Sequence, residues 1–246
     1  MNESRVTWSK YSAPQTLYPL AGALIPWCAG VAIVFMVAGL YLGFFVAPTD
    51  FQQGEAYRII FVHVPAAWMS MLLYVVMAAW AGLGLGLKAR PSFMMAQAIA
   101  PTGALFTFLA LLTGALWGKP TWGAWWVWDA RLTSELILLF LYVGYIALQG
   151  AIEDRRMAAR AGAVLATIGL INIPIIHFSV QWWSTLHQGP TITRFDAPAI
   201  HITMLIPLLI MALGFKLYYA AVVLVRMRCE LLEAERNSAW VRQLGK

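Results

Sequence analysis

The chain has 246 residues, 61% of them hydrophobic and 11% charged, where an ordinary soluble domain carries about 25% charged residues. Its mean hydropathy is +0.70, and a chain of this length cannot hide so much apolar surface in one globular core, so lipid is the solvent for most of it. The net charge of +6 sits in short connections between apolar runs, without a basic patch bearing base-reading motifs, which argues against nucleic acid as a partner.

The first twenty residues contain Arg5, Lys10, Pro14 and Pro19. They are too polar for a signal-peptide core, and the long apolar run after them reads as an uncleaved first span. Further apolar runs give six predicted spans at about 21–47, 59–87, 97–116, 132–151, 161–180 and 199–225, each near the ~20 residues that a crossing helix needs. The expected fold is all-α: one polytopic membrane domain of six transmembrane helices over residues 1–246.

Lys and Arg set the orientation. Arg5 and Lys10 precede the first span, Lys88 and Arg90 join the second to the third, and Arg155, Arg156 and Arg160 join the fourth to the fifth. Arg226, Arg228, Arg236, Arg242 and Lys246 follow the sixth. All fall on one side, which the positive-inside rule makes cytoplasmic together with both termini. The opposite connections hold only Arg58, Lys119, Arg131 and Arg194. The short cytoplasmic connections carry no G-x-x-x-x-G-K-[ST] loop, so any ATP used by the system is bound by another subunit. The cytoplasmic tail, 226–246, mixes Leu231, Leu232, Trp240 and Leu244 with charges. It reads either as an amphipathic helix on the membrane or a partner, or as a solvated helical end. Cys28 and Cys229 form no C-x-x-C pair and read as isolated structural thiols.

The chemistry is expected on the outer side. The connection after the third span holds Trp117, Trp122, Trp125, Trp126 and Trp128, followed by Asp129 and Arg131. Trp122, Trp125 and Trp126 have i, i+3, i+4 spacing, which on a short interfacial helix makes one flat apolar face. Lys119-Pro120 and the nearby glycines suit a turn into such a helix. An aromatic belt at the membrane surface accounts for one or two Trp per span end, but poorly for five in one loop. A clustered, rigid aromatic surface suits a large flat ligand or a protein anchor. A second outer loop, 181–198, adds Trp182, Trp183 and His187 before a Gly-Pro turn.

All four His, namely His63, His177, His187 and His201, map to the outer third. A His pair from two segments can supply both axial ligands of a haem iron. His177 and His201 lie on apolar helical faces and read better as hydrogen-bonded packing residues. His63, in Phe61-Val62-His63-Val64-Pro65, and His187, in a polar turn beside Trp, are the better candidates. Haem carries two propionates, and Arg meets carboxylates with a fork geometry that Lys lacks. Arg58, Arg131 and Arg194 are each placed for that role, or for snorkelling and local pairs such as Asp129–Arg131 and Asp196–Arg194. Glu135, about one turn into the fourth span, is a costly carboxylate that either pairs with Arg131 or takes a proton.

The segment 117–134 resembles the tryptophan-rich WWD signature of haem-handling membrane proteins. Its occurrence in a six-span chain with the motifs at 61–65 and 186–192 makes the whole chain similar to the CcmC family, the haem exporter C proteins of cytochrome c maturation. That resemblance implies a bacterial cytoplasmic (inner) membrane protein whose periplasmic WWD loop, 117–130, cradles haem b between two axial histidines, matched here by His63 and His187. It also implies transfer of haem to the periplasmic haem chaperone CcmE and association with CcmD and the CcmA/CcmB ABC transporter. On this reading the Trp platform packs on the macrocycle edge, and the protein presents haem rather than acting as a conventional enzyme.

Three other readings compete. A membrane electron carrier of the b-cytochrome type usually has His pairs within its helices at more than one depth, unlike the outer-only placement here. A permease moving haem across the membrane calls for polar or ionisable residues through the midplane, where the spans offer little beyond Asn172 and some Ser, Thr and Gly. A structural subunit using the Trp loop as a protein dock is the third.

Overall fold

A computed structural model of the chain describes residues 13–187, 189 and 198–244. Among these there is no strand. Helix α1 (Pro14–Tyr41) runs into a π turn (Leu42–Val46), and a 3-10 turn (Glu55–Ile59) leads into α2 (Ile60–Leu87). Then come α3 (Arg90–Trp122), α4 (Ala130–Ala151), α5 (Arg155–Gly169), α6 (Asn172–Trp182), α7 (Ile202–Ala234) and the short α8 (Ala239–Leu244). Six segments are long and apolar enough to cross a membrane, with α5 and α6 together forming the fifth. The six expected spans are therefore present, with altered ends.

The largest difference is α3. The apolar run covers 97–116, yet the helix starts at Arg90 and ends at Trp122. Pro120 lies inside its last turn rather than in a turn before a new helix. Its missing N–H leaves one carbonyl of the preceding turn without its usual partner. The helix stops where Gly123 adopts φ 78°, a left-handed conformation open to glycine. There Gly123 N–H donates to Lys119 O at 3.1 Å, and Lys119 Nζ donates back to Gly123 O at 3.1 Å. Residues 123–129 are not helical. Trp122, Trp125 and Trp126 consequently share no helical face, contrary to the expectation from their spacing.

The fifth span is broken for a local reason. Pro174 stands third in α6 and cannot donate to Leu170 O. The chain tightens instead into i→i+3 bonds, Leu170 N to Thr167 O and Ile171 N to Ile168 O, at 3.3 and 3.2 Å. Asn172 then donates from Nδ2 to Ser134 O of α4 at 2.9 Å, which anchors the break to its neighbour. At the last helix the first part of the expected tail, 226–234, is an extension of α7, and α8 follows within the rest. The tail packs on its own chain: Arg228 lies 4.1 Å over the Tyr18 ring, and Trp240 meets Tyr18 at 5.6 Å.

Helix α1 packs along α7, and α2 along α3. Helix α4 touches α3, α5 and α6, while α2 also meets α5 and α7. Glycines permit the close approaches: a Cβ on Gly39 would lie 3.1 Å from the Met211 backbone nitrogen, and one on Gly103 would overlap the Tyr142 ring. The core is filled by Met69, Leu73, Tyr74, Met77, Ile99, Leu138 and Tyr142. Large apolar side chains such as Trp27, Val34 and Phe45 point outward, as they do where lipid replaces water. The fold thereby gathers the connections after α1, α3 and α6 at one end, rich in Trp, and those after α2, α4 and α7 at the other, rich in Lys and Arg.

Candidate functional site

The start of α2 is held firmly. Phe61 is fully buried against Gly43, where no side chain could fit beside its ring. Tyr57 stacks edge-on to Phe61 at 5.8 Å and donates from its hydroxyl to Pro48 O at 2.5 Å. Two residues beyond Phe61, His63 projects toward α3 and meets Thr113 Oγ1 with Nδ1 at 3.0 Å. The Thr113 hydroxyl spends its one proton on Leu109 O at 2.6 Å. Toward His63 it must then accept, so Nδ1 carries the hydrogen and Nε2 keeps its lone pair. The adjacent Gly114 leaves room for the ring, since a Cβ there would come within 3.1 Å of His63 Cε1.

His187 reaches the same place from the connection between α6 and α7. The two imidazole centres are 6.4 Å apart and their planes are inclined by 38°. Trp117 stands edge-on to His63 at 5.6 Å, and Trp122 lies 6.3 Å from His187. Trp117 is pinned by its indole N–H, which donates to Gln53 Oε1 at 2.8 Å. A cavity of about 110 Å³ opens among the two His, the two Trp, Gly114, Arg131 and Glu135. Arg131 donates to Ile176 O at 2.9 Å. Glu135 is buried and accepts from the Ser70 hydroxyl at 2.7 Å. The site thus joins two imidazoles, two indoles, one guanidinium and one carboxylate.

The other residues expected at the site lie outside this lining or outside the described residues. Trp125, Trp126 and Trp128 are not in the cavity lining: Trp126 and Trp128 meet edge-on at 5.3 Å, and Trp125 and Trp128 are 55% and 75% exposed, leaving indole surface on the outside of the protein. Asp129 caps α4 by accepting from Leu132 N at 2.8 Å, and its second oxygen is buried without a partner among the described residues, as is Trp126 Nε1. Arg58 does not line the cavity. It is bound to Glu55 and donates to Gly43 O and Ala47 O at 2.7 and 2.9 Å, which clamps the end of the π turn. Arg194 lies outside the described residues. His177 is exposed against Phe178, and His201 is the N-cap of α7, paired with Thr203. Neither lines the cavity.

Sequence reasoning missed Thr113, Gly114 and Gln53, whose roles depend on partners 50 to 64 residues away. For Glu135 the expected alternatives were a pair with Arg131 or a bound proton; its hydrogen bond from Ser70 was not legible in the sequence.

A family model described as "Heme exporter protein C" matches residues 7–242. The chain belongs to the heme exporter protein C family. It is 50% identical over 238 residues to the heme exporter protein C of Escherichia coli K12, covering 97% of this chain and 96% of that one. The corresponding protein of Haemophilus influenzae is 47% identical over 236 residues, covering 96% of each chain. That of Bradyrhizobium diazoefficiens is 45% identical over 234 residues, or 95% of this chain and 88% of its own. Membership of this heme exporter family, with six apolar helices, makes the chain a multi-pass membrane protein that handles haem. No cluster of three or more His, Cys, Asp or Glu able to hold a bare metal ion occurs among the described residues. A porphyrin brings four nitrogens of its own and leaves at most two positions on its iron for protein ligands, a number that two imidazoles 6.4 Å apart can supply.

Proposed function

We propose that this member of the heme exporter protein C family receives haem b between His63 and His187 at the periplasmic face of the bacterial inner membrane. From there it presents the haem to the periplasmic chaperone CcmE for cytochrome c maturation. The observation that carries the reading is the 6.4 Å between the imidazole centres. An imidazole nitrogen lies ~1 Å from its ring centre and ~2 Å from a metal it binds, so two rings on opposite sides of one iron have centres ~6 Å apart.

Each residue then has a task. Thr113 holds His63 in the tautomer that leaves Nε2 able to bind metal. Trp117 and Trp122 wall the site against water and meet a flat apolar body. Arg131 is the described outer cation in the lining and suits a propionate. A volume of 110 Å³ equals about four waters. That is room for an iron and its nearest ring atoms only, so the rest of a bound macrocycle would lie outside it, where Trp125 and Trp128 expose indole surface. That arrangement leaves an edge accessible to a chaperone, and the exposed indoles supply a protein anchor beside it. The gathering of Lys and Arg at the opposite end supports the periplasmic assignment of the Trp end. Association with CcmD and with CcmA/CcmB fits a chain that lacks a nucleotide loop of its own.

Presentation is favoured over passage through this chain by the packed middle of the bundle, where Tyr74, Tyr142, Leu138 and Met77 are fully buried. The test is purification with haem. His63→Ala and His187→Ala should each lose the wild-type absorption spectrum and most of the bound haem. Retention of both spectrum and content in either variant refutes axial ligation.

A further inference from the structure

A second cavity lies at the other end of the bundle. It has a volume of about 1400 Å³ and is bounded by α2, α3, α4, α5 and α7. Its wall carries six cations against two carboxylates. Two of the cations are already engaged: Arg155 with Glu233 at 2.8 Å, and Arg90 with Ala234 O at 3.4 Å and Glu235 at 3.9 Å. Lys88, Arg156, Arg160 and Arg226 make no ion pair among the described residues. The remaining carboxylate, Glu230, stands one turn from Arg226 and lowers the positive charge without cancelling it.

The placement of these cations is specific. Arg156 and Arg160 are four residues apart on α5 and so share a face. Arg226 comes from α7, and Lys88 from the left-handed cap of α2 at φ 53°. Four cationic groups from three elements thus line one cavity. The lining also holds apolar side chains, Leu85, Phe93, Met94 and Ile146, and the hydrogen-bonded pair Gln97 and Gln149. The cavity reaches Pro101, eleven residues along α3 from Arg90, or about 16 Å of helix. In its wall Tyr145 is 1% exposed, and its hydroxyl has no hydrogen-bond partner among the described residues. Such a group costs free energy unless something completes it.

We propose that this cavity binds an amphiphilic dianion, an apolar body carrying two carboxylates or two phosphates, with the anionic groups held by Arg156, Arg160, Arg226 and Lys88. A small inorganic anion would leave the apolar part of the lining uncovered, and an uncharged apolar ligand would make no use of the four exposed cations. Arg favours this chemistry because its planar fork matches carboxylate and phosphate oxygens. Basic pockets between membrane helices at this level are suited to such head groups. Two sources supply the chemistry: a porphyrin with its two propionates, or a lipid with two phosphates. The proposal does not depend on haem ligation at the His end.

The test uses the full chain purified in detergent and two probes. One is metal-free protoporphyrin IX, followed by its fluorescence; it has no iron and cannot use the His pair as axial ligands. The other is cardiolipin, counted on the protein by native mass spectrometry. The triple variant R156A/R160A/R226A should weaken at least one probe about tenfold or more, while the triple Lys variant at the same positions recovers most of the loss. Porphyrin binding that persists in H63A/H187A and is lost on adding the Arg→Ala changes belongs to the basic cavity. A loss confined to the porphyrin identifies the dicarboxylate source, and a loss confined to cardiolipin the bis-phosphate source. Should the Ala variant fail to fold, Arg160→Glu alone must produce the same direction of change. The proposal is overturned if the wild type binds neither probe, if the Arg variants bind both as the wild type does, or if only H63A/H187A loses the porphyrin.

Discussion

Thr113→Val is the sharpest test of how His63 is prepared for metal. The substitution keeps the branched shape but removes the oxygen that accepts from His63 Nδ1 at 3.0 Å. Thr113 is 7% exposed, so water does not readily take its place. The lost hydrogen bond is worth about 1 kcal/mol directly. The larger effect is on the imidazole, which loses its fixed tautomer and ring direction. Outer-sphere partners of this kind typically change metal affinity about 10–100-fold, or roughly 1.4–2.8 kcal/mol. Haem titration of the purified protein in detergent should therefore give a Kd raised by about that factor, with the two-His spectrum partly replaced by a one-His form. Thr113→Ser, which keeps the oxygen, should stay close to wild type. An unchanged Kd and spectrum in Thr113→Val would refute the argument that this hydroxyl orients His63.

The two outer Arg within the described residues should separate cleanly. Arg131→Ala, in the cavity wall, should lower haem affinity about tenfold in the same titration, whereas Arg58→Ala should chiefly lower thermal stability, by about 1–3 kcal/mol from its uncovered carbonyls. Gly103→Ala places a methyl group against the Tyr142 ring and should cost about 1–3 kcal/mol by overpacking, read as a lower melting temperature with unchanged haem content per folded molecule. His177→Ala and His201→Ala should retain the wild-type haem spectrum and content, because neither ring lines the cavity; a lost absorption band in either would point to a different ligand set.

Composition and chain order alone were enough for the membrane class, the six spans and the Trp-rich end. These follow from the sum of many apolar side chains and from the position of Lys and Arg, quantities that need no neighbours. Helix ends were less legible. The extension of α3 to Trp122 turns on a proline tolerated in the last turn and a glycine cap, while hydropathy reads only the polarity of Lys119 and Pro120. The break between α5 and α6 follows from Pro174, which interrupts the hydrogen-bond ladder without making the segment less apolar.

From the linear sequence, His63, His187 and the Trp run stood out as candidate chemistry suited to a large flat ligand or a protein anchor, and the family resemblance named haem. The fold decided which groups face the same space. It brought Trp117, Trp122, Arg131 and Glu135 to the His pair, committed Arg58 to two backbone carbonyls, and set Thr113 behind His63. A side chain's polarity is its own property, whereas its direction and its hydrogen-bond partner belong to the packed helices around it. The 6.4 Å between two rings 124 residues apart in sequence is therefore a quantity that tertiary structure alone supplies.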